Sequence, residues 1–343
     1  MKLIRKKTLQ RVILILLAAA VIVLGLIALN YATKPEPEDI AQQTEMNRDP
    51  YADDDDIARV YFQGKWYKQK QNCRTFLLIG VDELGGQKDY GGNINHAQSD
   101  FLMLLVVDDE NKTYSGLHLN RDTMTDIPVI GVMGDRAGTT VAQLALAHTY
   151  GSGLNDSCEY TVEAVSNLLF GVGIDHYAAL SIDSIGILND QVGGVTVTVP
   201  VDMTEYDAAM AEGAEVKLSA KQAEYFVRSR YGLENSTNLD RMKRQRTYLN
   251  AWKQTALKKA EQDTEFTLNL AVSLADYLVS DMTANQLSDF ANTLIEYEDL
   301  GVEETSGENV LGETYMEFYV DEEALQGQVI DLFYEEDLSI KAN

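Results

Sequence analysis

The sequence predicts one mixed α/β domain set behind a single membrane-spanning helix, and three observations predict it. An uncharged apolar run from Val12 to Leu29 follows a cluster of basic residues. Two apolar runs of strand length come next, TFLLIGV from Thr75 and FLMLLVV from Phe101. Stretches of helical period then alternate with short strands, with no internal repeat and no Pro/Gly boundary between residues 75 and 343.

The first run has the roughly 20-residue length of a membrane helix, whereas a cleaved signal has an apolar core of about 7–15. No small-x-small cleavage site follows it, so it reads as a retained anchor; a cleaved secretion signal exports the same domain. Lys2, Arg5, Lys6, Lys7 and Arg11 precede it and place the N-terminus in the cytoplasm. The expected organisation is a cytoplasmic tail over 1–11, an anchor over 12–30 and an extracytoplasmic linker over 31–71. A domain over 72–343 follows. Pro35, Pro37 and the acidic run Asp53–Asp56 mark the linker as a solvated stalk. The chain carries a net charge of −26, and with the five cytoplasmic basic residues set aside the remainder carries −31. So acidic an exterior repels nucleic acid. Cys73 and Cys158 both fall in the exported part, where a disulfide is chemically allowed.

Element by element, the 75–81 strand ends at Asp82 in a Gly-rich loop, and the 101–107 strand is entered directly after Asp100. Tyr114–Leu119 alternates as a third strand, after a turn at Asp109–Asn111. Thr140–Tyr150 and Glu159–Phe170 have helical period, the latter placing Val162, Val165 and Leu169 on one face. A strand over 177–182, a helix over 184–191, the Gly193-Gly194 turn and the strand VTVTV come next. Ser219 is a natural N-cap for a helix running through Phe226. Helices fit 239–260, 266–279 and 284–297, one or two strands fit Val302–Val320, and a closing helix fits 321–334.

The chemistry-bearing residues fall at strand ends and helix starts, where α/β sheets place ligands. If the first two strands pair antiparallel, Asp82 and Asp100 reach the same sheet edge. Two carboxylates there suit Mg²⁺, which takes one or two carboxylates, waters and substrate phosphate; strand-flanking Asp residues also serve simply as turn formers. Arg121 and Asp122, in LNRDTMTDI, follow the third strand as either a phosphate-binding pair or an internal ion pair. Between residues 228 and 246 six basic side chains gather, Arg228, Arg230, Arg241, Lys243, Arg244 and Arg246, opposed only by Glu234 and Asp240. In so acidic a chain this island asks for an anionic partner, or for a network of internal salt bridges. Asn238 is placed to cap the following helix, which sets Arg241 in its first turn and Arg244 or Gln245 near one face. His96, His118, His148 and His176 lack any zinc-binding spacing. The absence of a G-x-S-x-G elbow, a Walker loop and a G-x-G-x-x-G turn disfavours hydrolase, NTPase and dinucleotide readings.

Eight segments in order, LLIGVD (77–82), SDFLMLLVV (99–107), LNRDTM (119–124), LAHTYG (146–151), TVEAVSNLL (161–169), LNDQVGGVTVTV (188–199), KQAEYFVRSR (221–230) and NLDRMKRQR (238–246), resemble the LytR–CpsA–Psr family of bacterial cell-wall enzymes. The likeness covers about 75–253. It implies an α-β-α fold whose central mixed, largely antiparallel sheet is flanked by helices. It implies a Mg²⁺-dependent phosphotransferase that moves a glycopolymer from an undecaprenyl-pyrophosphate carrier to peptidoglycan, working at the membrane and not on nucleic acid. By matching motif, Asp82 and Asp100 support Mg²⁺. Arg121, Arg228, Arg230 and Arg241 clamp the pyrophosphate, with Arg244 and Gln245 in the same motif, and Arg121, Asp122 and Arg241 carry catalysis. The apolar faces of 140–150 and 159–170 are then expected to line a lipid channel. Four positions depart from the family pattern: Glu83 and Gln98 where Arg is frequent, Asn120 where Pro is usual, and Asn238 where an acid is usual. At the last an acid, the candidate base, is either lost or displaced by two positions to Asp240, so a receptor that holds the lipid without cleaving it, or a pyrophosphatase using water, are the competing readings.

Overall fold

The computed structural model describes residues 58–84, 97–130, 136–230 and 238–340, with interruptions between 264 and 296. The expected tail, anchor and most of the linker lie outside the described residues. No helix among the described residues is long and apolar enough to cross a membrane.

The described chain opens with a hairpin inside the stretch read as linker. Strands β1 (Arg59–Phe62) and β2 (Lys65–Gln69) pair antiparallel, and the last strand of the chain, Tyr334–Glu336, adds to β2. An Arg59–Asp337 ion pair at 2.8 Å closes this small sheet.

The next strands fix the architecture. Along β3 (Cys73–Val81) and β4 (Ser99–Asp108) apolar residues sit at successive positions, as strands require when both faces are buried. Leu77, Ile79, Leu102 and Leu104 enter one core, while Phe76, Met103 and Leu105 enter the other. The result is a three-layer α-β-α sandwich. β3 pairs antiparallel with β4, which pairs antiparallel with β5 (Thr113–Leu119). Beyond these, the hairpin β6 (Met124–Ile130) and β7 (Arg136–Gln143) stands apart from the main sheet. Short helix α1 (Ala147–Tyr150) and helix α2 (Leu154–Leu168) follow, and β8 (His176–Ser181) then pairs parallel with β3. Leu278–Ser280 and Glu298–Glu304 form the two edges of this six-stranded mixed sheet.

One face of the sheet is covered by α2 and by the C-terminal helix Glu322–Phe333, which contributes Leu325, Val329 and Phe333. The other is covered by α3 (Ser184–Gln191), α4 (Ala220–Arg228) and α5 (Asn238–Gln262). Ser219 caps α4 as expected, in a full capping box: its hydroxyl accepts from Gln222 N–H, and the Gln222 side chain accepts from Ser219 N–H.

Three sequence expectations need correction. The helix expected over Thr140–Tyr150 starts only at Ala147, after a 3₁₀ turn at Leu144–Leu146. Residues 139–143 pair with β6 instead, so a β-ladder overrides the local helical spacing. The helix expected over 266–279 gives way at Ala275, because Leu278–Ser280 pair with β8. The region Val302–Val320 holds parts of three strands, Glu298–Glu304, Gly307–Leu311 and Met316–Val320. Cys73 and Cys158 are separate free thiols; burial pushes Cys73 up to about 11 and raises Cys158 as well.

Candidate functional site

The antiparallel β3–β4 pairing brings Asp82 and Asp100 to one edge, as expected. The register supplies a detail the sequence does not. Gly80 pairs with Phe101 and Val81 with Ser99, which leaves Asp100 as the extra residue of a β-bulge. Bulges re-aim a side chain at a strand end, and Asp100 is the residue re-aimed. Gly80 makes the bend possible, because a Cβ there would stand 2.8 Å from the Phe101 Cβ. Gly80→Ala is therefore expected to destabilise the fold by about 1–3 kcal/mol through overpacking. Urea unfolding checks this; a midpoint unchanged from wild type would show that the close approach is dispensable.

Asp100 is the pivot of the site. Arg121 and Arg241 each donate through Nη1 to its Oδ1, Arg241 at 3.0 Å. Arg121 also donates through Nη2 to Gln98, and Arg241 through Nη2 to Asn238. Burial acts to raise the Asp100 carboxyl, but the two arginines outweigh it and hold it below the usual carboxylate range. Burial pushes Arg241 down to about 10 against the pull of Asp100, which leaves it charged at neutral pH. The loop carrying Arg121 is gripped from both sides. Its carbonyl accepts from Ala145 N–H at 2.9 Å, and the Asp122 carbonyl accepts from Phe318 N–H at 2.9 Å.

Asp82 sits at the end of β3, where Arg228 Nη2 reaches it at 3.1 Å. Its pKa is raised, first by burial and then by the nearby charge of Asp100. Arg230 is near enough to act electrostatically on Asp100, Asp122 and Arg241.

Part of this charged cluster forms the polar end of an apolar cavity of about 170 Å³; Arg121 and Arg230 are not in its lining, and Arg121 reaches it only through its bond to Asp100. Asp82, Asp100, Arg228, Arg241 and Gln245 line the polar end. Leu180, Ile182, Ile185, Leu188 and Val227, with Tyr248, Leu249 and Trp252 of α5, line the rest. The expected channel-forming helices are not these. Cys158, Ala164, Val165 and Leu168 of α2 pack in the core on the opposite face of the sheet. The slot is built by α3 and α5, at the C-terminal ends of β3 and β8.

Three further expectations change. Arg244 is fully buried and donates from Nε to the Phe226 carbonyl at 2.8 Å and from Nη2 to the Ser229 carbonyl. It closes the C-terminal end of α4 and is not among the residues lining the cavity. Gln245 does line the cavity while donating to the Val227 carbonyl at 3.3 Å. Asp122 is buried, accepts from Gln143 Nε2 at 3.1 Å, and is also not in the lining. Asn238 lies inside the first turn of α5, its side chain bonded to Arg241 and Asn120. The sequence does not announce Gln98 as a partner of Arg121, Asn120 as a partner of Asn238, or the apolar wall; the wall is legible only as Tyr248, Leu249 and Trp252, seven, eight and eleven residues beyond Arg241.

No group of three or more His, Cys, Asp or Glu side chains is arranged to hold a metal among the described residues. What is present is a pair of carboxylates close enough for one to raise the other's pKa. That set fits a cation such as Mg²⁺, which needs only one or two carboxylates and completes its shell with water and phosphate oxygens.

The sequence model of the LytR_cpsA_psr family matches residues 37–329. The polyisoprenyl-teichoic acid–peptidoglycan teichoic acid transferase TagV of Bacillus subtilis (strain 168) is 30% identical over 136 residues, 40% of this chain and 30% of its own length. The chain therefore spans under a third of that relative. The corresponding transferase TagU of Bacillus cereus (strain ATCC 14579) is 26% identical over 258 residues, 74% of this chain and 75% of its own length. A solved structure, TagT bound to LI-WTA, shares the fold with a TM-score of 0.56 at 19% identity, covering 76% of this chain and 90% of that one.

Proposed function

Because the chain belongs to the LytR–CpsA–Psr family, we propose that it is a phosphotransferase that moves a glycopolymer from an undecaprenyl-pyrophosphate carrier to peptidoglycan, held at the outer face of the cell membrane by its N-terminal helix. One observation carries this reading: two arginines converge on Asp100 at the mouth of an apolar slot. A substrate matching both ends is an amphiphile with an anionic head and a hydrocarbon tail. Polyprenyl pyrophosphate is such a molecule.

In the proposed reaction the acceptor hydroxyl oxygen bonds to the glycan-side phosphorus, the bridging bond from that phosphorus to the polyprenyl phosphate breaks, and the hydroxyl proton passes to the departing phosphate or to water. Such a transfer depends on positioning and on neutralising charge over the phosphoryl oxygens more than on a covalent nucleophile. Arg121, Arg228, Arg230 and Arg241 supply that charge. Arg121 and Arg241 are preorganised by Asp100, so little reorganisation is needed when phosphate arrives. Asp82 and Asp100 are the residues that would hold Mg²⁺, which when bound adds positive charge beside the phosphates. Ile182, Ile185, Leu188 and Trp252 exclude water from the tail end of the slot.

The second reading is a receptor that binds the carrier without cleaving it, and Asn238 favours it. An amide at the start of α5 cannot take a proton from an acceptor hydroxyl, and Asp240, the nearest acid along the helix, is not in the cavity lining. The purified full chain is to be incubated with a polyprenyl-pyrophosphate-linked sugar, with and without Mg²⁺ and peptidoglycan oligomers, and the products read by mass spectrometry. Sugar phosphate on the acceptor, dependent on Mg²⁺, is the expected result. A carrier that binds but stays intact throughout moves the assignment to the receptor. Release without an acceptor moves it to a pyrophosphatase.

A further inference from the structure

We infer that Asn120 and Asn238 form an amide bridge that positions both clamp arginines, and that the site works only with a hydrogen-bond donor at residue 238. Asn120 immediately precedes Arg121, and Asn238 lies one helical turn before Arg241. The two amides are buried, at 0% and 5% exposure, and meet by a hydrogen bond from Asn238 Nδ2 to Asn120 Oδ1. They tie the loop after β5 to the first turn of α5 across 118 residues of chain.

The orientation of each amide follows from its neighbours. Arg241 can only donate, so the Asn238 atom facing its Nη2 is Oδ1. That leaves Asn238 Nδ2 facing Asn120. The Asp122 backbone N–H, also a donor, lies 3.0 Å from the Asn120 side chain, so the atom there is Oδ1 too. One oxygen of Asn120 thus accepts both bonds, and the arrangement has no alternative flip that keeps all three contacts. Asn120 acts as an acceptor only, whereas Asn238 must accept on one side and donate on the other.

This asymmetry has a consequence for substitution. A carboxylate at 120 still offers an oxygen to Asp122 N–H and to Asn238. A carboxylate at 238 still pairs with Arg241 but meets the Asn120 oxygen with no proton between them. If Asn120 turns its amide to donate, the Asp122 N–H loses its acceptor, and one of the contacts that hold the Arg121 loop is lost. The bridge is therefore a positioning device: it acts on substrate through Arg121 and Arg241.

The role assigned to the arginines rests on the proposed function, and the test keeps the two apart. Asn120→Asp, Asn238→Asp, Asn120→Ala, Asn238→Ala and the double alanine variant are made in the full chain. Inorganic pyrophosphate binding is measured by calorimetry, and stability by urea unfolding. Asn238→Asp is expected to bind pyrophosphate about tenfold or more weaker than wild type, with Asn120→Asp within about threefold. Both variants add one buried negative charge beside the same arginines, so charge alone does not separate them. Burial alone predicts the opposite order, since Asn120 is the more enclosed residue. In unfolding, the double alanine variant is expected to lose no more stability than the worse single. Equal or reversed losses for the two aspartates, or additive alanine losses, overturn the bridge. Non-additive alanine losses in a wild type that binds no pyrophosphate retain the bridge and remove the function proposed for the arginines.

Discussion

Arg241→Ala is expected to lower kcat/KM for the lipid-linked donor by about a thousandfold, the range met when a charged clamp on a transferring phosphoryl group is lost. Arg241 lines the mouth of the slot, is held against Asp100 at 3.0 Å, and stays charged despite burial. Its removal takes away one of the two charges that converge there and leaves Asp100 to Arg121 alone. Arg244→Ala, only three residues along the same helix, should behave differently. Arg244 binds the Phe226 and Ser229 carbonyls, so its loss should destabilise the protein by about 2–4 kcal/mol through unpaired carbonyls and a cavity. Any effect on kcat/KM at a temperature where that variant remains folded should be small. Turnover assays on both variants, beside urea unfolding, separate the roles. An Arg241→Ala enzyme within tenfold of wild type would remove Arg241 from the clamp.

That contrast shows what the sequence made legible. The basic island between 228 and 246 is visible as charge against an acidic background, and the need for an anion follows from electrostatics. Which arginine faces the slot does not. Arg241 and Arg244 are about 60° apart around a helix, too close for periodicity to separate them. The decision lies in the C-terminus of α4, whose carbonyls take up Arg244. Local rules did well where the determinants are local: Ser219 and Gln222 announce their capping box, and the unbroken apolar runs of β3 and β4 announce strands buried on two faces. Long-range pairing was out of reach. Residues 59–69 read as linker because the strand that completes their sheet lies at 334–336, far along the chain. The segment 140–143 read as helix because its partner β6 is itself weakly patterned. Asn120 and Asn238 stand in the sequence as two separate departures from a family pattern, the second also as a helix cap, and the structure makes them one feature.

Acid should unfold this protein well before its carboxylates are titrated, and two histidines account for it. His118 is fully enclosed on β5, its ring 4.8 Å from that of Phe101 and its Nδ1 3.3 Å from the Arg246 guanidinium. Burial, then the charges of Arg246 and Arg241, push its pKa down to about 3. Burial likewise pushes His148 down to about 4, against the Ala97 carbonyl 2.9 Å from its Nδ1. Both folded values lie below the ordinary value near 6.5, so the unfolded chain binds more protons and stability falls as pH falls. The loss begins near pH 6.5 and is complete only below the folded values, near 4 for His148 and 3 for His118. Each histidine then costs about 1.4 kcal/mol per pH unit within its window, or roughly 5 kcal/mol for the pair between pH 6.5 and 4.5. Asp82 and Asp122 work in the other direction, since burial raises both and favours their protonated forms in the fold. The net expectation is a marked fall in unfolding free energy from pH 6.5 to 4.5, against a total of about 5–15 kcal/mol for ordinary domains. Urea titrations at half-unit pH steps measure the slope, and His118→Gln should remove about half of it because the glutamine cannot take up a proton. A slope unchanged in both His118→Gln and His148→Gln would assign acid sensitivity to the carboxylates instead. An intact wild-type slope halved in each variant would tie it to the enclosure of these two rings, one of them close enough to Arg241 to feel its charge.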